Sequence, residues 1–135
     1  MKVILIMLFL NIILCKPKIH FIYNANNDYF SIIEDFVHKN VSPSTYKCNL
    51  CKLSYGVFSK NNKWSNFLNS LEYEYSFIYK NEPNHIIENV NSFPVILYTL
   101  NDKIDVLVTT EEIKLCQSID DLILIINNEL LLINK

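Results

Sequence analysis

Residues 93–109 read FPVILYTLNDKIDVLVT. Two runs rich in β-branched and aromatic residues, Phe93–Leu100 and Lys103–Thr109, flank Asn101-Asp102, a hairpin-turn signal without its usual glycine. The stretch predicts two antiparallel strands, the first opening just after Pro94. Beyond it, Thr110 is placed to cap a short helix whose first turn holds Glu111 and Glu112. Ser118–Asn134 then reads as the closing helix. Ser118 is its cap, and Asp120 and Asp121 sit near its positive end. This last run is very apolar, but Asn127, Asn128 and Glu129 mark it as a core helix rather than a span.

Toward the N-terminus the pattern alternates. Asn81–Ser92 is a polar connection with a single helical turn around Ile86 and Ile87, and Tyr73–Tyr79 is a strand. Lys63–Leu71 sets Trp64, Phe67, Leu68 and Leu71 on one helical face. Cys48–Phe58 opens with cysteines and reads as a short helix. Asn40–Lys47, with Ser42-Pro43-Ser44-Thr45, reads as a loop. Asp28–Lys39 has helical spacing at Tyr29, Ile32, Ile33, Phe36 and Val37, and Lys18–Asn24 is a strand. Strands separated by helices demand at least one parallel pair, and the hairpin adds an antiparallel half, so the chain is an α/β fold.

Composition narrows the function classes. The chain has 135 residues, 50% hydrophobic and 19% charged, enough apolar material for one core and too much for a disordered chain. Its net charge is −2, and every basic residue is lysine. Without guanidinium forks, a nucleic-acid partner is not expected. Gly56 is the one glycine, which excludes the glycine-rich loops that cradle phosphates. Val3–Cys15 is apolar except for Asn11 and lies between Lys2 and Lys16. It is short for a membrane span, which takes about 20 residues, and better matched to a signal-peptide core. Residues 1–16 are therefore expected to be a signal-like or anchor segment that touches membrane through residues 3–15. That implies an exported or membrane-associated protein, with a cytoplasmic one as the alternative. Bulky Leu14 is a poor match to a cleavage site.

The chemistry concentrates in Cys48-Asn49-Leu50-Cys51. Thiols three positions apart on a helix lie one turn from each other, close enough to pair or to share a metal. At a helix N-terminus, with Lys47 and Lys52 beside it, Cys48 would be favoured as thiolate, exposed and ready to attack a disulfide. Cys51 would then resolve the mixed disulfide. Two other readings stay open. The pair could be half of a zinc site completed by His38 and Cys116, or two thiols that only pack. On the redox reading no cofactor is needed and the partners are protein thiols or disulfides; on the other, zinc is the cofactor. His38 could also act as a proton shuttle, and Tyr46, Tyr55 and Trp64 could form an apolar collar. His20 lies within a strand and is expected to be outward-facing or satisfied. Neighbouring Glu34-Asp35 and Asp120-Asp121 do not face each other on a helix and are not acid–base pairs.

From Tyr73 onward the order of strand, connection, proline-led strand, partner strand and closing helix resembles the C-terminal half of thioredoxin-like proteins. The resemblance covers residues 18–134 and is closest over 93–134. It implies one thioredoxin-like domain over residues 17–135, three layers deep, with a mixed four-stranded sheet and flanking helices. It further implies that Pro94 is the cis-proline that faces the Cys48/Cys51 pair and receives a substrate strand. In that family the cysteine motif directly follows a strand; here a helix and a loop stand between Tyr23 and Cys48. Ser42–Gly56 (SPSTYKCNLCKLSYG) also resembles a group of small uncharacterised bacterial proteins.

Overall fold

The structure is a computed structural model that describes residues 16–28, 36–41, 46–55 and 61–135. Four strands form one mixed sheet: β1 (Lys18–Tyr23), β2 (Glu74–Tyr79), β3 (Val95–Leu100) and β4 (Lys103–Val108), in the order β2-β1-β3-β4. β1 runs parallel to β2 and antiparallel to β3, and β3 is antiparallel to β4. A parallel pair needs a crossover. The chain between β1 and β2 includes α1 (Asn49–Ser54) and α2 (Asn62–Ser70). α3 (Thr110–Leu115) and α4 (Ile119–Ile133) follow the hairpin.

The hairpin forms where residues 93–109 place it. Asn101 and Asp102 hold φ of 51° and 64°, the positive pair that a two-residue primed turn requires. Both residue types tolerate that region, which is why no glycine is needed. A register shift opposite Ile96/Leu97 leaves Leu107 as an extra residue on β4. This bulge lets Leu107 and Val108, neighbours in sequence, both be buried.

Alternation along the strands separates two faces. Ile19, Phe21, Tyr23, Ile96, Tyr98 and Val108 pack with Leu50, Trp64, Phe67, Ile113, Leu122 and Ile126 from α1 to α4. The Trp64 ring meets Phe21 edge-on at 5.1 Å, and Phe77 stacks on Phe21 at 5.3 Å. On the opposite face Ile22, Ile78, Val95 and Leu97 are covered by Ile87 of a 3₁₀ turn, His85–Ile87. The expected third layer is therefore, among the described residues, this turn and its loop rather than an α-helix. The polar connection 81–92, interrupted by Pro83, has too few apolar residues for a helical stripe.

Ser118 caps α4 as expected, in a reciprocal box with Asp121. The cap of α3 is Thr109, not Thr110. Thr109 accepts the Glu112 amide, while the Glu112 carboxylate accepts the Thr109 amide; Thr110 is the buried first helical residue. The Ser/Thr-x-x-Glu spacing holds for Thr109 and not for Thr110. Of the expected helix over Asp28–Lys39, residues 29–35 lie outside the described residues, and 36–41 are helical. The apolar stretch Val3–Cys15 also lies outside them. Among the described residues no helix is long and apolar enough to cross a membrane.

Candidate functional site

The cysteine pair sits at the C-terminal end of β1. Asn24, one residue past that strand, donates its side-chain amide to the Lys47 carbonyl at 3.2 Å. That bond brings the residue before Cys48 to the strand end, although a long segment intervenes in sequence. Tyr23, the last residue of β1, shares the core with Cys48 and Leu50, and its ring lies 6.3 Å from that of Tyr55 just beyond α1. Burial, with the nearby Tyr55 phenol, pushes the Tyr23 phenol up, so it stays protonated at any physiological pH.

Cys48 and Cys51 form a disulfide, with Cα atoms 5.3 Å apart. Cys48 is the N-cap of α1, and its Sγ accepts the Cys51 backbone N–H at 3.2 Å. This turns the sulfur back over the first helical turn and into the core. The expected exposure of Cys48 is overturned: its relative accessibility is 0%, and Cys51 is the partly accessible member of the pair.

Two residues that sequence reasoning missed anchor the motif. Asn49 donates its side-chain amide to the carbonyls of Ile113 at 2.6 Å and Cys116 at 3.1 Å, tying α1 to the C-terminal end of α3. The Ile113 carbonyl also accepts the Cys116 backbone N–H at 3.2 Å, so Asn49 adds a second donor to the end of α3. Lys39 donates its ammonium to the carbonyls of Cys51 at 3.1 Å and Tyr55 at 2.7 Å. Burial lowers the Lys39 pKa from its ordinary value. A lone asparagine between two cysteines was the available signal for the first. Nothing local marked the second.

Pro94 is fully buried, and the Phe93–Pro94 peptide is cis. The pairing of Ile22 with Val95 puts Pro94 one step beyond the ladder, level with the end of β1. Pro94 and the sulfur pair thus occupy the same end of the sheet.

The zinc set is not brought together. Cys48 and Cys51 are bonded to each other, and the His38 ring lies edge-on to Tyr46 at 5.6 Å. Cys116 is buried and donates its S–H to the Glu112 carbonyl at 3.4 Å. Burial, reinforced by the Asp121 and Glu112 carboxylates, raises its thiol pKa and keeps it protonated. Among the described residues no three His, Cys, Asp or Glu side chains gather as a metal site. Of the expected aromatic collar, Tyr46 and Tyr55 pack at the edge of the core, and Trp64 lies fully inside it.

A second polar group occupies the opposite face. His20 is buried, with Nδ1 2.8 Å from Ser76 Oγ and Nε2 3.0 Å from Thr99 Oγ1, so of the two expected states it is the satisfied one and not outward-facing. Burial, then Lys18 and His85, lowers its pKa to about 4. It borders a cavity of about 520 Å³ that Lys16, Lys18, Glu82, His85 and Asp102 also line.

The chain matches no protein-family model, no curated protein and no solved structure.

Proposed function

We propose that this protein is a thioredoxin-like thiol–disulfide exchange protein in which the Cys48–Cys51 pair alternates between disulfide and dithiol. The observation that carries this reading is the disulfide itself, closed between two cysteines of one helical turn, one of which is partly accessible. Three features of the surroundings agree with it. The pair lies at the end of β1, a cis-proline opens β3 at the same end, and an antiparallel hairpin and an apolar helix complete the domain. The hydrogen bond from the Cys51 amide to Cys48 Sγ would stabilise a thiolate there once the bond opens. Pro94 is the residue we assign to positioning a partner's chain. The partners are protein thiols and disulfides.

The complete burial of Cys48 favours a second reading, a non-catalytic domain in which the bond only clamps α1. The gain from such a clamp is small. A crosslink closing so short a loop removes on the order of 2 kcal/mol of unfolded-state entropy, against about 3 kcal/mol for a 15-residue loop. An insulin disulfide-reduction assay separates the two. The reduced wild type is expected to accelerate precipitation of insulin chains, and Cys48→Ser and Cys51→Ser to lose that activity. Equal, background-level rates for all three would leave only the clamp.

A further inference from the structure

We propose that the polarity of the motif is reversed: Cys51 Sγ is the sulfur that exchanges with the partner, and Cys48 Sγ is the internal leaving group and resolving thiol. The inference rests on the exchange activity proposed above and asks which sulfur performs it. Spacing alone favours the first cysteine, the one at the helix N-cap. The structure separates the two properties that argument combines. The sulfur with the hydrogen-bond support is Cys48, which is fully buried, and the partly accessible residue of the pair is Cys51.

Attack on a disulfide requires the incoming thiolate to reach one sulfur in line with the S–S bond, while the other departs with the electron pair. Cys48 fits only the second role. It is enclosed by core residues, so no external sulfur reaches it, and it already accepts the Cys51 N–H at 3.2 Å. A hydrogen bond to the departing atom lowers the basicity of the thiolate and speeds its departure. Cys51 fits the first role. It is the partly accessible residue of the pair, and the Lys39 ammonium is bonded to its carbonyl at 3.1 Å.

The electrons then balance as follows. A partner thiolate bonds to Cys51 Sγ, the Cys51–Cys48 bond breaks, and its electron pair stays on Cys48 as thiolate. A second thiolate of the partner attacks the partner's own sulfur in the mixed disulfide. This closes the partner's disulfide and releases Cys51 as thiolate. Both thiolates take protons from solvent. The partner dithiol is oxidised by two electrons and the protein disulfide is reduced by two. In the reverse direction Cys51 attacks a partner disulfide and Cys48 resolves the intermediate.

The test uses the oxidised wild-type chain. It is mixed with reduced glutathione at neutral pH, quenched rapidly with a maleimide, and mapped by peptide mass. The expected product carries glutathione on Cys51 and maleimide on Cys48, in at least tenfold excess over the opposite pattern. Glutathione found mainly on Cys48 would overturn the polarity and leave exchange standing. No adduct on either cysteine, while the urea-unfolded chain reacts readily, would sink the exchange reading itself and the polarity with it. As a second arm, reduced Cys48→Ser is expected to form its adduct with oxidised glutathione at least tenfold faster than reduced Cys51→Ser. Equal rates, or the reverse order, would contradict the assignment.

Discussion

The two faces of the sheet are built from the same four strands and behave as different media. On one, Phe21, Ile96 and Val108 meet Trp64, Leu122 and Ile126 in a dry core that also encloses Cys48. On the other, His20 bridges Ser76 and Thr99 beside an open cavity, and the apolar cover shrinks to Ile87 and its neighbours. The difference follows from strand alternation and from where the helices fall. Helices α1 to α4 each bury residues against the first face. The cysteine pair therefore lies on the helix-covered side, and His20 lies across the sheet from it.

Breaking the dry side should cost most. Leu122 is fully buried in the first turn of α4, and Leu122→Ala is expected to destabilise the fold by about 2–5 kcal/mol, read from the urea midpoint. A loss under about 1 kcal/mol would mean that this face is loosely packed.

The wet side should respond to acid. The His20 pKa in the folded chain is about 4, below its value of 6.5 when unfolded. Protonation is thus easier in the unfolded chain, and stability is whole above about pH 6.5 and declines as pH falls toward 4. The loss is on the order of 1–2 kcal/mol, less than full linkage gives, because the cavity admits solvent that screens the charge. His20→Gln should lower stability at pH 7 and flatten the slope between pH 6.5 and 4. An unchanged slope would show that other groups produce it.

Smaller effects sharpen the same contrast. Ser118→Ala removes the acceptor for the Asp121 amide at the start of α4 and is expected to cost about 1 kcal/mol in thermal or urea unfolding. The Lys63–Asp120 pair joins α2 to α4 at 2.6 Å, but its side chains are 63% and 64% exposed. Lys63→Ala should therefore change stability by at most about 1 kcal/mol at low salt, and by nothing measurable in 1 M salt. A larger loss that persists in salt would indicate packing by the lysine stem instead of charge.

What could be read from the chain was local. The hairpin at Asn101-Asp102, the Ser118 cap and the Trp64–Phe67–Leu68 stripe each depend on residues within a turn or two of one another. The single turn at Ile86-Ile87 was legible for the same reason. The error at Thr110 was also local: the Glu112 partner three residues after Thr109 identified the right cap. What escaped depends on distant chain. Asn49 finds the carbonyls of Ile113 and Cys116, and Lys39 finds those of Cys51 and Tyr55, across separations that no short window contains. The burial of Cys48 belongs with these. Its place on the helix was visible, but the bodies that cover it come from other elements. The thin cover of the second face was missed because a strand–helix order does not say on which side of the sheet each helix lands.

The central claim is that the Cys48–Cys51 bond opens and closes while the fold stands. The direct measurement is equilibration of the full chain in glutathione buffers from fully oxidised to fully reduced. Thiols are blocked by alkylation, masses are read intact, and circular dichroism is followed in parallel. One reversible two-electron transition confined to Cys48 and Cys51, with the spectrum of the folded chain kept throughout, is the predicted result. A pair that stays unreduced until the protein unfolds, or that fails to re-form when the buffer is made oxidising again, would contradict it.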